Sequence, residues 1–140
     1  MSPSRRAIVM VDDEKSYVDL LAHMLAENLG CPVLAFTRPL DALHALRDAN
    51  VGAVVTDYHM PQMDGFEFVR RAAELQPRVP FIMISGHTID PDGDDFGAHR
   101  PLRALLAKPF GWRRLAEEIV RHAPEFAANL DRAAGGTASA

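Results

Sequence analysis

Short runs of β-branched and other apolar residues, each too brief for a helix and each ended by a polar or charged side chain, recur along the sequence. Ala7–Val11 (AIVMV) stops at Asp12, Asp13 and Glu14, residues 51–56 (VGAVVT) at Asp57, residues 81–84 (FIMI) at Ser85, and residues 104–107 (ALLA) at Lys108-Pro109. Val33–Phe36 is a further short run behind Gly30 and Pro32. Such runs read as buried strands. Between them the apolar period becomes helical: Tyr17, Leu20, Leu21, Met24, Leu25 and Leu29, then Leu40, Leu43 and Leu46, then Phe66, Val69 and Ala73, and finally Trp112, Leu115, Ala116, Ile119 and Val120. Gly30 reads as a C-cap of the first helix, a helix starts near Thr37 or Pro39, residues 60–65 (MPQMDG) form a turn, and Pro77 ends the third helix. Five short buried strands alternating with helices predict βαβ units and a parallel sheet covered on both faces.

The remaining properties narrow the class. With 140 residues, 48% apolar and 24% charged, the chain is sized for one globular domain: an N-terminal extension over 1–5, a domain over 6–130 and a flexible small-residue tail over 131–140. Its formal charge of −4 has the wrong sign for gripping phosphate backbones, so no direct nucleic-acid partner is expected. The single cysteine, Cys31, fits a reducing cytoplasm, and with apolar stretches of only a few residues neither a membrane span nor a signal peptide is expected.

In parallel α/β sheets the functional edge lies at the carboxyl ends of the strands. Asp12, Asp13, Asp57, Ser85 and Lys108 all fall there. Crowded carboxylates repel unless a cation sits among them, and hard oxygen donors suit Mg²⁺, which in turn accepts phosphate oxygens. Asp57 is then a candidate nucleophile toward phosphorus, with Ser85 as a hydrogen-bond donor and Lys108 as a point charge for the phosphoryl group. Taken singly, each residue has a plainer reading: Asp13 or Asp64 as a helix cap or turn residue, Ser85 beside Gly86 as turn chemistry, Lys108 as a solvated loop residue. The placement of five such residues on one rim is what turn statistics do not produce.

The acidic pair Asp12-Asp13, Asp57, the segment Met60-Pro61-Gln62-Met63-Asp64-Gly65, Ser85 and Lys108-Pro109-Phe110, in this order over about residues 6–125, resemble the receiver domain of bacterial two-component response regulators. The resemblance implies a flavodoxin-like, doubly wound five-stranded parallel sheet of order 2-1-3-4-5, and a phosphorelay switch rather than an enzyme in the ordinary sense. Asp57 would accept phosphate from a phosphohistidine on a sensor histidine kinase or histidine phosphotransfer protein. Asp12, Asp13, Asp57 and the His59 backbone carbonyl would hold Mg²⁺, Lys108 would contact the phosphoryl group, and Ser85 would swing toward it. His59, Met60, Gly86, His87 and Pro109 would flank the pocket, with His59 placed to affect the lifetime of the phosphoaspartate. A downstream protein target is implied but not identified.

Three departures from the family pattern stand out. Leu105 occupies the place of the usual aromatic switch residue. Residues 90–97 (DPDGDDFG) fall where the alternation calls for its fourth helix, which is therefore expected to be short or irregular. No output domain is expected in the residues after the last helix. An EF-hand reading of Asp90, Asp92 and Asp94 fails, because the sixth position is Asp95 and the twelfth is Pro101. Two other readings compete: a degenerate receiver serving as an interaction module, and a haloacid-dehalogenase-type phosphatase with Asp12 as nucleophile and Glu14 as second acid. The second fits the rest of the pattern less well than a receiver does. Of the histidines at 23, 44, 59, 87, 99 and 122, only His59 and His87 fall beside the pocket, and Trp112 reads as core.

Overall fold

The computed structural model describes residues 6–86, 101–108 and 110–127. The strands are β1 (Ala7–Val11), β2 (Val33–Phe36), β3 (Val51–Asp57), β4 (Phe81–Ser85) and β5 (Leu102–Ala107). The helices are α1 (Lys15–Leu29), α2 (Pro39–Leu46), α3 (Gly65–Leu75) and α4 (Trp112–His122), followed by a 3-10 turn, Pro124–Phe126. The strands form one sheet in the order β2-β1-β3-β4-β5, every pairing parallel. The expected extension over 1–5, the irregular helix and acidic loop over 88–97, the tail over 131–140, and the pocket residues His87 and Pro109 lie outside the described residues.

The three central strands are buried along their whole length, as their unbroken apolar runs predict. The expectation that all five strands are buried is corrected at the edges. Half-buried and exposed positions make up β2, and β5 exposes Arg103 and Ala107, because each has a neighbour on one side only. Two cores sandwich the sheet. Ile8, Met10, Ile82 and Ile84 pack on α1 and α4, while Val9, Val54, Phe81 and Met83 pack on α2 and α3. Adjacent residues of one strand thus serve opposite faces.

Local signals fix the helix ends. Gly30 adopts the left-handed conformation at φ 62° and closes α1, its N–H bonding the Ala26 carbonyl. Pro39 begins α2 where its missing N–H costs nothing. Asp64 caps α3 by accepting from the Glu67 N–H at 2.9 Å, so the plainer of its two readings holds. The Gln76 amide, just past α3, donates to the Leu46 and Ala49 carbonyls at 2.7 and 3.1 Å and ties α3 to the end of α2. No helix among the described residues is long and apolar enough to cross a membrane.

Candidate functional site

Parallel pairing in this order sets the ends of β1 and β3 side by side, with β4 and β5 following. Asp12 comes directly after β1, Asp57 is the last residue of β3, Ser85 the last of β4, and Lys108 comes directly after β5. Carboxylate oxygens of Asp12, Asp13 and Asp57 all lie within 4.8 Å of one another, Asp12 and Asp57 buried and Asp13 exposed. The Lys108 Nζ reaches between two of them, 3.3 Å from Asp12 Oδ2 and 3.7 Å from Asp57 Oδ1. One ammonium against three carboxylates leaves the cluster negative, and the donors are all hard oxygens. That donor set fits Mg²⁺.

Backbone contacts hold these ends in register. Lys108 N–H donates to the Ser85 carbonyl at 2.8 Å, and Tyr58 N–H to the Ile84 carbonyl at 2.9 Å. Asp12 is oriented by the Glu14 N–H, which donates to its Oδ1 at 2.9 Å. The loop after β3 folds back through Gly65 N–H on the Tyr58 carbonyl at 2.8 Å. A Cβ at Gly65 would sit 2.8 Å from the Asp57 carbonyl oxygen and 2.9 Å from Met83 Cε, so only glycine lets α3 start this close to the acceptor strand.

The electrostatics follow from burial and charge. Desolvation, reinforced by the Asp12 carboxylate, raises the Asp57 pKa from 3.8 to about 6, and Lys108 only partly offsets this. For Lys108, burial alone would lower the pKa, but Asp12 and Asp57 outweigh it and the net direction is upward. At neutral pH Asp57 is therefore mostly an anion, poorly solvated and faced by a cation.

Of the flanking residues, His59 is exposed and meets the Tyr58 ring edge-on at 4.9 Å, Met60 is buried with its sulfur 3.9 Å from Thr56 Oγ1, and Gly86 is exposed. Leu105 is half-buried against the core on the α2 and α3 side. Trp112 and Phe110 pack on the edge of the other core, as read for Trp112.

One residue was not singled out from the sequence. The Tyr17 ring lies under the Lys108 ammonium, 4.6 Å from centroid to Nζ, and meets Phe110 edge-on at 6.4 Å. Its hydroxyl is buried without a hydrogen-bond partner among the described residues. In the sequence Tyr17 is simply the first apolar position of α1, and no local signal marks its approach to Lys108.

The chain is similar to known proteins in sequence and in fold. The family model of the response regulator receiver domain matches residues 8–120. The response regulator receiver protein CpdR of Brucella abortus is 32% identical over 117 residues, which span 81% of this chain and 93% of CpdR. The response regulator protein TmoT of Ectopseudomonas mendocina is 31% identical over 114 residues, 79% of this chain but 49% of TmoT. The crystal structure of a CheY-like receiver domain protein from Methanospirillum hungatei superimposes with a TM-score of 0.77 at 24% identity, over 89% of this chain and 98% of that one.

Proposed function

The chain belongs to the response regulator receiver family, and from that premise we propose that it is a cytoplasmic phosphorelay switch whose phosphoacceptor is Asp57. The observation that carries this reading is the buried Asp57 carboxylate, 3.7 Å from Lys108 and within 4.8 Å of two further carboxylates. The match across 93% of CpdR supports a unit of this size carrying the switch.

An Asp57 carboxylate oxygen attacks the phosphorus of a phosphohistidine on a sensor kinase or phosphotransfer protein. The P–N bond breaks, the imidazole leaves with its electron pair and takes up a proton, and an acyl phosphate forms on Asp57. Asp12, Asp13, Asp57 and the His59 carbonyl would hold Mg²⁺, which when bound supplies positive charge to the transferring oxygens. Lys108 supplies further charge, since its Nζ already lies 3.7 Å from Asp57 Oδ1. Its partner Asp12 and the underlying Tyr17 ring hold the flexible lysine in that direction.

Phosphorylation adds roughly two negative charges at Asp57. Lys108 then turns from Asp12 toward the phosphoryl oxygens, and the Ser85 hydroxyl, at the end of the neighbouring strand, donates to them. Leu105 gives this switch no aromatic ring to rotate on β5, so the change at Asp57 is taken up by Ser85 and the Lys108 side chain. As a member of this family the protein is a signalling switch and not a classical enzyme.

Intact-mass analysis after incubation with acetyl phosphate tests the reading. One added phosphoryl group with Mg²⁺, none with EDTA and none in Asp57→Asn is the expected result. An unmodified wild-type protein that releases no phosphate would instead favour an interaction module that does not switch.

A further inference from the structure

At the far end of the sheet from Asp57, a cavity of about 560 Å³ is bordered by Arg78, Arg103, Arg121 and His122, with Pro80 and Leu102 as apolar lining. Pro80 precedes β4, Leu102 opens β5, and Arg121 and His122 are the last residues of α4. The cavity therefore lies at the amino ends of the strands, roughly 16 Å of strand away from the carboxylate cluster.

Two of these groups have an ordinary structural role. Arg121 and His122 stand in the last turn of α4, where positive charge opposes the partial negative charge of the helix end, and each lies 3.7 Å from Glu118. Arg78 and Arg103 have no such role. One sits in the connection before β4 and the other on the edge strand β5; both are exposed, and neither has an ion-pair partner among the described residues. Glu118 offsets the group only in part, because it is one carboxylate whose Oε1 Arg114 already holds at 2.8 Å. A chain with a formal charge of −4 thus gathers three guanidiniums and an imidazole around one concavity. The repulsion among the guanidiniums is relieved by an anion seated among them.

We propose that this cavity binds a nucleoside diphosphate or a closely similar organic diphosphate. Guanidinium forks match phosphate oxygens two at a time, and three of them suit two linked phosphates better than one. The volume falls in the range of about 300–1,000 Å³ found for small-molecule sites and leaves room beyond the phosphates. Half-buried Pro80 and exposed Pro124, which also lines the cavity, offer that remainder an apolar surface for a ring. The site is separate from the phosphoacceptor, at the opposite end of the strands.

Isothermal titration of the full chain with inorganic pyrophosphate, ADP and adenosine, at low salt and in EDTA, tests this. One saturable site for pyrophosphate and for ADP is expected, with ADP at least as tight and adenosine silent. Arg78→Ala/Arg103→Ala should weaken both by tenfold or more while far-UV circular dichroism stays unchanged, because both side chains are exposed. Asp57→Asn should bind as the wild type does. Absence of saturable binding up to millimolar probe, binding kept by the double variant, pyrophosphate binding without ADP binding, or loss of binding in Asp57→Asn would each overturn the proposal.

Discussion

Replacing Asp57 by asparagine should stabilise the metal-free protein at pH 8 and do much less at pH 4.5. The folded chain holds this carboxyl at a pKa of about 6 against an ordinary 3.8, chiefly through burial and then through Asp12. Here an acid's folded pKa is raised, so the folded state binds the proton more tightly than the unfolded chain does. Stability from this group is lost as pH rises from about 4 to about 6 and stays lost above that. The gap of roughly two pH units, at about 1.4 kcal/mol each, amounts to about 3 kcal/mol at pH 8 and about 1 kcal/mol at pH 4.5. Asparagine keeps the shape without the charge and should recover most of it, or about 10 °C in Tm for a chain of this size. Thermal unfolding in EDTA at the two pH values, wild type against variant, measures the difference. A variant no more stable than wild type at pH 8, or an equal gain at both pH values, would refute the claim that Asp57 is held as a strained anion.

Lys108→Ala should destabilise the metal-free protein by about 2 kcal/mol, since it leaves the buried Asp12 and Asp57 facing each other without a cation; urea unfolding with and without Mg²⁺ should show the loss, and Mg²⁺ should recover part of it. Gly65→Ala should cost about 1–3 kcal/mol, because its Cβ would meet the Asp57 carbonyl at 2.8 Å, and an unchanged urea midpoint would contradict that packing. Tyr17→Phe should be neutral or stabilising by about 1 kcal/mol, as it removes a buried hydroxyl without a partner among the described residues and keeps the ring beside Lys108. His59→Ala should change the rate of phosphoaspartate hydrolysis, followed by phosphate release, without changing stability, since the imidazole is exposed and lies two residues along the chain from Asp57.

The central strands could be read from the sequence because burial on both faces writes them as unbroken apolar runs. Edge strands could not be delimited so well. Arg103 interrupts the run in β5, so residues 104–107 predict a strand that in fact begins at Leu102. Asp57 and Ser85 read as residues after their strands, yet both still pair within them, Asp57 with Ile84 and Ser85 with Ala107. The 3-10 turn Pro124–Phe126 has no periodic signature. It exists because Phe126 packs over Gly52, whose Cβ would lie 2.8 Å from the ring, and that is a contact between distant parts of the chain.

The cluster at the strand ends could be anticipated because parallel topology brings carboxyl ends together whatever the helices do. Tyr17 and the cationic cavity could not. One depends on how α1 lies against the chain after β5, the other on the convergence of a loop, an edge strand and a helix end.

Reductive trapping tests the central claim most directly. Borohydride converts an aspartyl phosphate to homoserine, so protein treated with acetyl phosphate and Mg²⁺, then with borohydride, carries the mark at the acceptor. Peptide mapping by mass spectrometry should find homoserine at position 57 alone, and none when Mg²⁺ is withheld. Homoserine at Asp12 or Asp13 instead, or an unmarked peptide around Asp57 in protein that has taken up phosphate, would contradict the account.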